Sequence, residues 1–184
     1  MNGFTLVELM VTLAIAVVLI TMAAPVLTGF LARSQMSAAA NELTDALQLA
    51  RMEAVSRNTC VSVCRRAASG AAQCAGEAGS WDAGWLVYLN PGCDSSASST
   101  DPAAGQILRA QQALPAHVHL NNTGSDDNSD VIVYTSRGVT TDPIGGSLAL
   151  TDDRFADGSV NRKITYNTVG RVMNVAANPG GGDD

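Results

Sequence analysis

From Leu9 to Ala32 the chain carries no charged residue, the run Leu9–Leu27 is almost wholly apolar, and a single carboxylate, Glu8, stands directly in front of it. At about 1.5 Å of rise per helical residue, that run is about long enough to cross a hydrocarbon layer of roughly 30 Å. Two kinds of segment have this look, a secretory signal peptide and a retained membrane helix. A signal peptide calls for a basic stretch, a shorter apolar core and a small-residue exit. Here no basic residue precedes the run, the run is too long, and an acid opens it. The pattern is that of a retained helix. Glu8 is its most informative residue, because an unpaired charge in the middle of a membrane segment costs about 2.5–3.5 kcal/mol. Standing alone, Glu8 reads as a carboxylate hydrated at the headgroup level.

Beyond this run the sequence is that of one ordinary domain. The whole chain has 184 residues, 46% of them hydrophobic but only 4% aromatic, which leaves room for a single core besides the apolar run. A net charge of −6 repels phosphate backbones and argues against nucleic acid as a partner. Cys60, Cys64, Cys74 and Cys93 are even in number and lie among loops, which points to disulfides and an oxidising compartment. They form no C-x-x-C pair and have no histidines at ligand spacing, so a zinc site is not indicated. Cys64 and Cys74 bracket a Gly-containing loop and make the natural bridge, leaving Cys60 with Cys93, although four cysteines allow three pairings. No nucleophile elbow, phosphate loop or H-E-x-x-H motif occurs, so neither catalysis nor a cofactor has support in the sequence.

Helical periodicity continues past the apolar run. Met36, Ala40, Leu43, Leu47, Ala50 and Ala54 recur at spacings of three and four, with Glu42, Asp45, Gln48 and Arg51 away from that stripe. No turn dipeptide intervenes after Gly29, which predicts one continuous helix of about 80 Å ending near Asn58. Thr59–Cys64 then alternates with period two, as a strand does. Further strands are expected at 85–89, 107–110, 117–120, 131–134, 147–150, 163–166 and 171–175, with polar, Gly- and Ser-rich connections between them. One long helix followed by antiparallel strands is an α+β architecture. His117 and His119 share one side of a strand but no third ligand lies near, so they read as half-exposed strand histidines. Asp126, Asn128 and Asp130 imitate the opening of a calcium loop. Val131 stands where its glycine belongs and Arg137 where its bidentate glutamate belongs, so a solvated loop is expected.

Gly3-Phe4-Thr5-Leu6-Val7-Glu8 resembles the processing signature of type IV prepilins. The resemblance implies cleavage between Gly3 and Phe4 by a prepilin peptidase and N-methylation of the new amine on Phe4. It also implies that this amine neutralises Glu8 of a neighbouring subunit, leaving neither charge unpaired in lipid. Pro25 falls where pilin helices carry a proline, a residue that removes a backbone donor and can kink or locally melt a helix. The leader Met1-Asn2-Gly3 departs from the pattern in lacking a cytoplasmic Lys or Arg, which leaves the translation start open. The division implied is a leader at 1–3, a transmembrane and filament-core helix at 4–30, an amphipathic helix half at 31–58, a β-rich periplasmic head at 59–175 and a disordered tail at 176–184.

The head narrows the likeness. The helix end Ala50–Asn58 running into a strand, the segment Trp81-Asp82-Ala83-Gly84-Trp85, the stretch Ile132–Gly138 and the closing Gly170-Arg171-Val172 resemble the GspH/FimT group of minor pilins and pseudopilins. The implied function is that of an assembly subunit in a type IV pilus or type II secretion pseudopilus, with other pilins and inner-membrane lipid as partners. The alternative function is a DNA-binding minor pilin for natural transformation. Some members of the group carry a Gly-Arg-x-Arg stretch for that purpose, but here Met173 replaces the second arginine and leaves Arg171 alone. Trp81 and Trp85 read as core or edge packing rather than a binding platform, and Gly170 as the turn before the last strand.

Overall fold

A computed structural model describes residues 5–76, 80–96, 102, 105–123 and 131–177, and of residues 22–26 the backbone only. Helix α1 runs without a break from Leu6 to Arg57. It stops where the sequence indicates: Asn58 adopts a left-handed φ of 50°, and Thr59 N–H returns to the Ala54 carbonyl at 3.2 Å. Asparagine tolerates that conformation better than most side chains, which is why it ends helices. Contacts divide the chain into two compact units, 1–35 and 36–184.

Among the described residues of the second unit eight strands form two antiparallel sheets. They are β1 (Val61–Arg65), β2 (Trp85–Leu89), β3 (Ile107–Ala110), β4 (Val118–Asn122), β5 (Val131–Tyr134), β6 (Gly146–Asp152), β7 (Arg162–Tyr166) and β8 (Val172–Ala176). The first sheet has the order β3-β2-β1-β5 and the second β4-β6-β7-β8. The expected segments all carry strands, with ends shifted by two residues at most; β8 extends to Ala176, the first residue of the expected tail.

The two sheets are buried differently. In the first sheet β1, β2 and β5 are covered on both faces. One face holds Cys60, Cys64, Leu86, Tyr88, Val131 and Val133, closed by two disulfides, Cys60–Cys93 and Cys64–Cys74. The other face holds Val61, Val63, Trp85 and Tyr134, all fully buried. The second sheet alternates. Val118, Leu120, Leu148, Leu150, Ile164 and Tyr166 are buried, while their neighbours along each strand are wet, the pattern of a sheet covered on one face.

The stretch of α1 from Met36 packs on these sheets through Met36, Ala40, Leu43, Leu47, Ala50 and Ala54, the stripe that the spacing indicated. Alanines on that stripe let the helix approach closely, and polar links fix its register. Ser37 accepts from Arg162 at 2.6 Å, Asn41 from Asn174 at 3.1 Å and Glu42 from Gln111 at 2.6 Å. Arg51 donates to the carbonyls of Gly138 at 2.9 Å and Val169 at 3.0 Å, joining two turns. Gly170 sits in this junction with φ 76°, and a Cβ there would meet the Gly138 carbonyl at 2.3 Å. Only glycine fits both demands.

Candidate assembly site

The site of interest is the start of α1. Thr5 precedes the first helical residue, and its hydroxyl accepts the Glu8 amide at 3.2 Å, while its carbonyl accepts the Leu9 amide at 3.2 Å. A helix leaves its first four amides without partners, and a threonine before the first turn satisfies one of them. Thr5-Leu6-Val7-Glu8 is thus the Thr-x-x-Glu capping pattern, a signal present in the sequence that the family signature overshadowed. Glu8 has two local reasons to be there. It completes the capping pattern, and its negative charge lies in the first turn, where the helix dipole favours it.

Glu8 is exposed, as is nearly every described residue that follows it in the apolar run. Leu6, Val7, Met10, Leu13, Ile15, Val17, Leu19 and Ile20 all stand more than half open, and their positions cover the whole circumference of the helix. A helix that is apolar all round belongs inside a bundle or a membrane, and an uncovered surface of this kind marks an interaction site. Thr12 and Thr21 turn their hydroxyls back onto the carbonyls of Leu9 at 2.9 Å and Val18 at 2.8 Å. They thereby present methyl groups outward and leave no hydroxyl for water to satisfy.

Among the described residues no helix is long and apolar enough to cross a membrane. The side chains of 22–26, inside the run Leu9–Leu27, fall outside the description. So do Gly3 and Phe4, the residues of the expected cleavage and methylation. At Pro25 only the backbone is described, and α1 passes through it as helix.

The remaining candidates fall in the head and do not converge. Trp81 and Trp85 are buried in the core. Arg171 is exposed at the turn between β7 and β8, where Asn167 shapes the turn by accepting the Arg171 amide at 2.9 Å. His119 lies 2.9 Å from Asp82 through Nδ1, and the other Asp82 oxygen accepts the Leu120 amide at 2.7 Å. Asp82 belongs to the short 3₁₀ turn Trp81–Ala83 ahead of β2, so this pair ties the first sheet to β4 of the second. Its hydrogen bond to Asp82 raises the His119 pKa above the ordinary 6.5, the effect of an anion beside an imidazolium. Among the described residues no group of three or more metal-ligating side chains forms. Asp126, Asn128 and Asp130, the calcium-loop imitation, lie outside the described residues.

Comparison with known proteins bears on both halves of the chain. The sequence pattern of the family described as type II transport protein GspH matches residues 39–170, and that of the prokaryotic N-terminal methylation motif matches residues 1–24. The crystal structure of the type IV minor pilin FimU of Pseudomonas aeruginosa (strain PAO1) is similar at 21% identity with a TM-score of 0.55, covering 77% of this chain and 88% of that one. The structure of the minor pseudopilin EpsH from the type 2 secretion system of Vibrio cholerae is similar at 13% identity with a TM-score of 0.52, covering 80% and 99%. At these identities the likeness shows the fold. No curated protein matches.

Proposed function

The chain belongs to the type II transport protein GspH family, and from that premise we propose that it is a minor pilin or pseudopilin that enters a type IV pilus or secretion pseudopilus through α1. The N-terminal methylation motif over residues 1–24 supports processing: a prepilin peptidase cuts after Gly3, and the new amine on Phe4 is methylated. Before assembly the apolar run holds the chain in the inner membrane with the disulfide-bonded head in the periplasm. On assembly the run leaves lipid for a bundle of neighbouring helices. As a structural subunit it needs no catalytic group.

The observation that carries this reading is the uncovered apolar circumference of α1 with a carboxylate in its first turn. Lipid alone accounts for the apolar side chains but not for Glu8, whose burial costs about 2.5–3.5 kcal/mol on insertion scales. A neighbour's terminal ammonium removes that cost, because a paired charge is tolerated where an isolated one is not. Pairing is satisfied at one axial offset between helices, so the charge that opposes membrane burial also sets the register. The head's resemblance to minor subunits favours a priming or capping position over the bulk of the fibre. Mass spectrometry of the mature chain tests the reading: a start at methylated Phe4 supports it, and an intact Met1 in a host with an active prepilin peptidase overturns it.

A further inference from the structure

An edge strand presents unpaired N–H and C=O groups that recruit another strand unless something blocks them. Among the described residues three of the four sheet edges are blocked. β3 carries a register shift opposite Val87 and Tyr88, an irregularity of the kind that spoils an edge. β5 is covered by its own chain, with Thr141 N–H donating to the Val133 carbonyl at 3.0 Å and Thr140 bridging Tyr134. On β4 the Val118 amide is taken by the Pro115 carbonyl at 2.8 Å and the Leu120 amide by Asp82 at 2.7 Å. β8 has no such cover among the described residues.

The free side of β8 follows from its bonds to β7. Asn167 N–H donates to the Arg171 carbonyl at 3.1 Å and Ala177 N–H to the Asn161 carbonyl at 2.9 Å. With the register Arg162↔Ala176 through Tyr166↔Val172, the hydrogen-bonded pairs fall on the odd-numbered residues, because such pairs alternate along an antiparallel ladder. Val172, Asn174 and Ala176 therefore turn their amides and carbonyls away from β7. The strand reads Val-Met-Asn-Val-Ala, without a charge, proline or glycine to protect it. Met173 and Val175 are 47% and 48% exposed on its outer face. Asn174 donates through Nδ2 to Asn41, while its own Oδ1 is buried with no donor among the described residues.

Charge indicates which strand fits. In a chain of net charge −6, residues 158–182 carry Arg162, Lys163 and Arg171 and no acid. Arg162 is engaged with Ser37, whereas Arg171 stands exposed at the entrance of β8. A second copy fits poorly. Pairing β8 with β8 of another copy sets each Arg171 beside the C-terminal end of the other strand, where residues 172–182 offer no acid. Pairing β8 with β4 of another copy meets the edge that Asp82 and Pro115 close.

The geometry points to β8 as an interaction edge that accepts, antiparallel, an extended uncharged strand of a different subunit, with a carboxylate at the C-terminal end of that strand beside Arg171. Main-chain bonds supply the affinity and the Arg171 contact the direction, as in other cases of strand addition. Only the source of the strand rests on the assembly reading; the edge itself does not.

The test uses the full chain, isotope-labelled in detergent, with the peptide acetyl-Thr-Val-Thr-Val-Thr-Asp-amide as probe. A version ending in Lys serves as control. Hydrogen exchange at Val172, Asn174 and Ala176 is expected to slow about ten-fold or more under saturating peptide, with Met173 and Val175 unchanged. Ala176→Pro, which removes an outward amide and no bond to β7, abolishes the effect. Arg171→Ala weakens the Asp peptide about two- to five-fold, the range of an exposed ion pair, and leaves the Lys control as it was. Unchanged exchange, slowing at all five residues alike, or equal protection by both peptides overturns the proposal. Protection without peptide in a sample that sediments as a dimer assigns the edge to a second copy and also overturns it. N-terminal mass reports on processing separately, so failure here leaves the assembly reading standing.

Discussion

The two stretches of α1 have the same backbone and opposite surroundings. Up to Leu31 the described large apolar side chains stand open, Leu6 at 74% and Ile20 at 66%, whereas Met36 and Leu47 are closed to solvent entirely. The second stretch has a stripe of small and aliphatic residues that its own sheets cover. The first has no polar face at all, so no single sheet could cover it. On the proposed reading its cover comes from other molecules. One helix thus carries a covered stripe and an uncovered surface, and substitutions in the two stretches are read out by different experiments.

Loss of the Cys60–Cys93 bridge by paired Ser substitution acts only on the head. Closing a separation of 33 residues constrains the unfolded chain by about 4 kcal/mol, against about 3 kcal/mol for the separation of 10 at Cys64–Cys74. The first pair should lower the head's melting temperature further than the second, with membrane insertion unchanged in both. Leu47→Ala opens a cavity in the head core worth about 3 kcal/mol, while Leu13→Ala leaves head melting within about 0.5 kcal/mol of the parent. Equal losses from the two leucines would break the comparison. Thr5→Ala removes a cap worth about 1 kcal/mol; faster hydrogen exchange confined to the first helical turn, with head melting untouched, is the expected signature. The smallest effect is that of pH. Folding raises the His119 pKa above 6.5, chiefly through its hydrogen bond to Asp82. The tie between the sheets is therefore at full strength below about pH 6.5 and is lost as the pH rises through the raised value. His119→Gln should flatten that part of the stability–pH profile, and an unchanged profile would remove His119 as its cause.

Periodicity made the continuous helix, its buried stripe and the strand positions legible, because each is a local pattern. What stayed hidden depends on distant partners. That β1 joins β5 across nearly seventy residues, and that the strands divide four and four, comes from packing rather than from any one segment. Arg51 lies off the buried stripe, yet it holds the Gly138 and Val169 carbonyls, whose residues lie far along the chain. Asp82 looked like part of a Trp-rich strand motif but caps β4. The Thr5–Glu8 cap is the exception. It is a local Thr-x-x-Glu spacing that shares its residues with the processing signature.

That overlap makes Glu8→Gln the most direct measurement. Glutamine keeps the capping pattern and removes the charge, so it separates the two roles of residue 8. The account predicts normal membrane insertion, normal cleavage to Phe4, and incorporation into filaments reduced at least about ten-fold, as expected when an ion pair worth over about 1.4 kcal/mol is lost from a low-dielectric site. Incorporation at the level of the parent chain would show that Glu8 serves the helix cap alone and would contradict charge pairing between subunits.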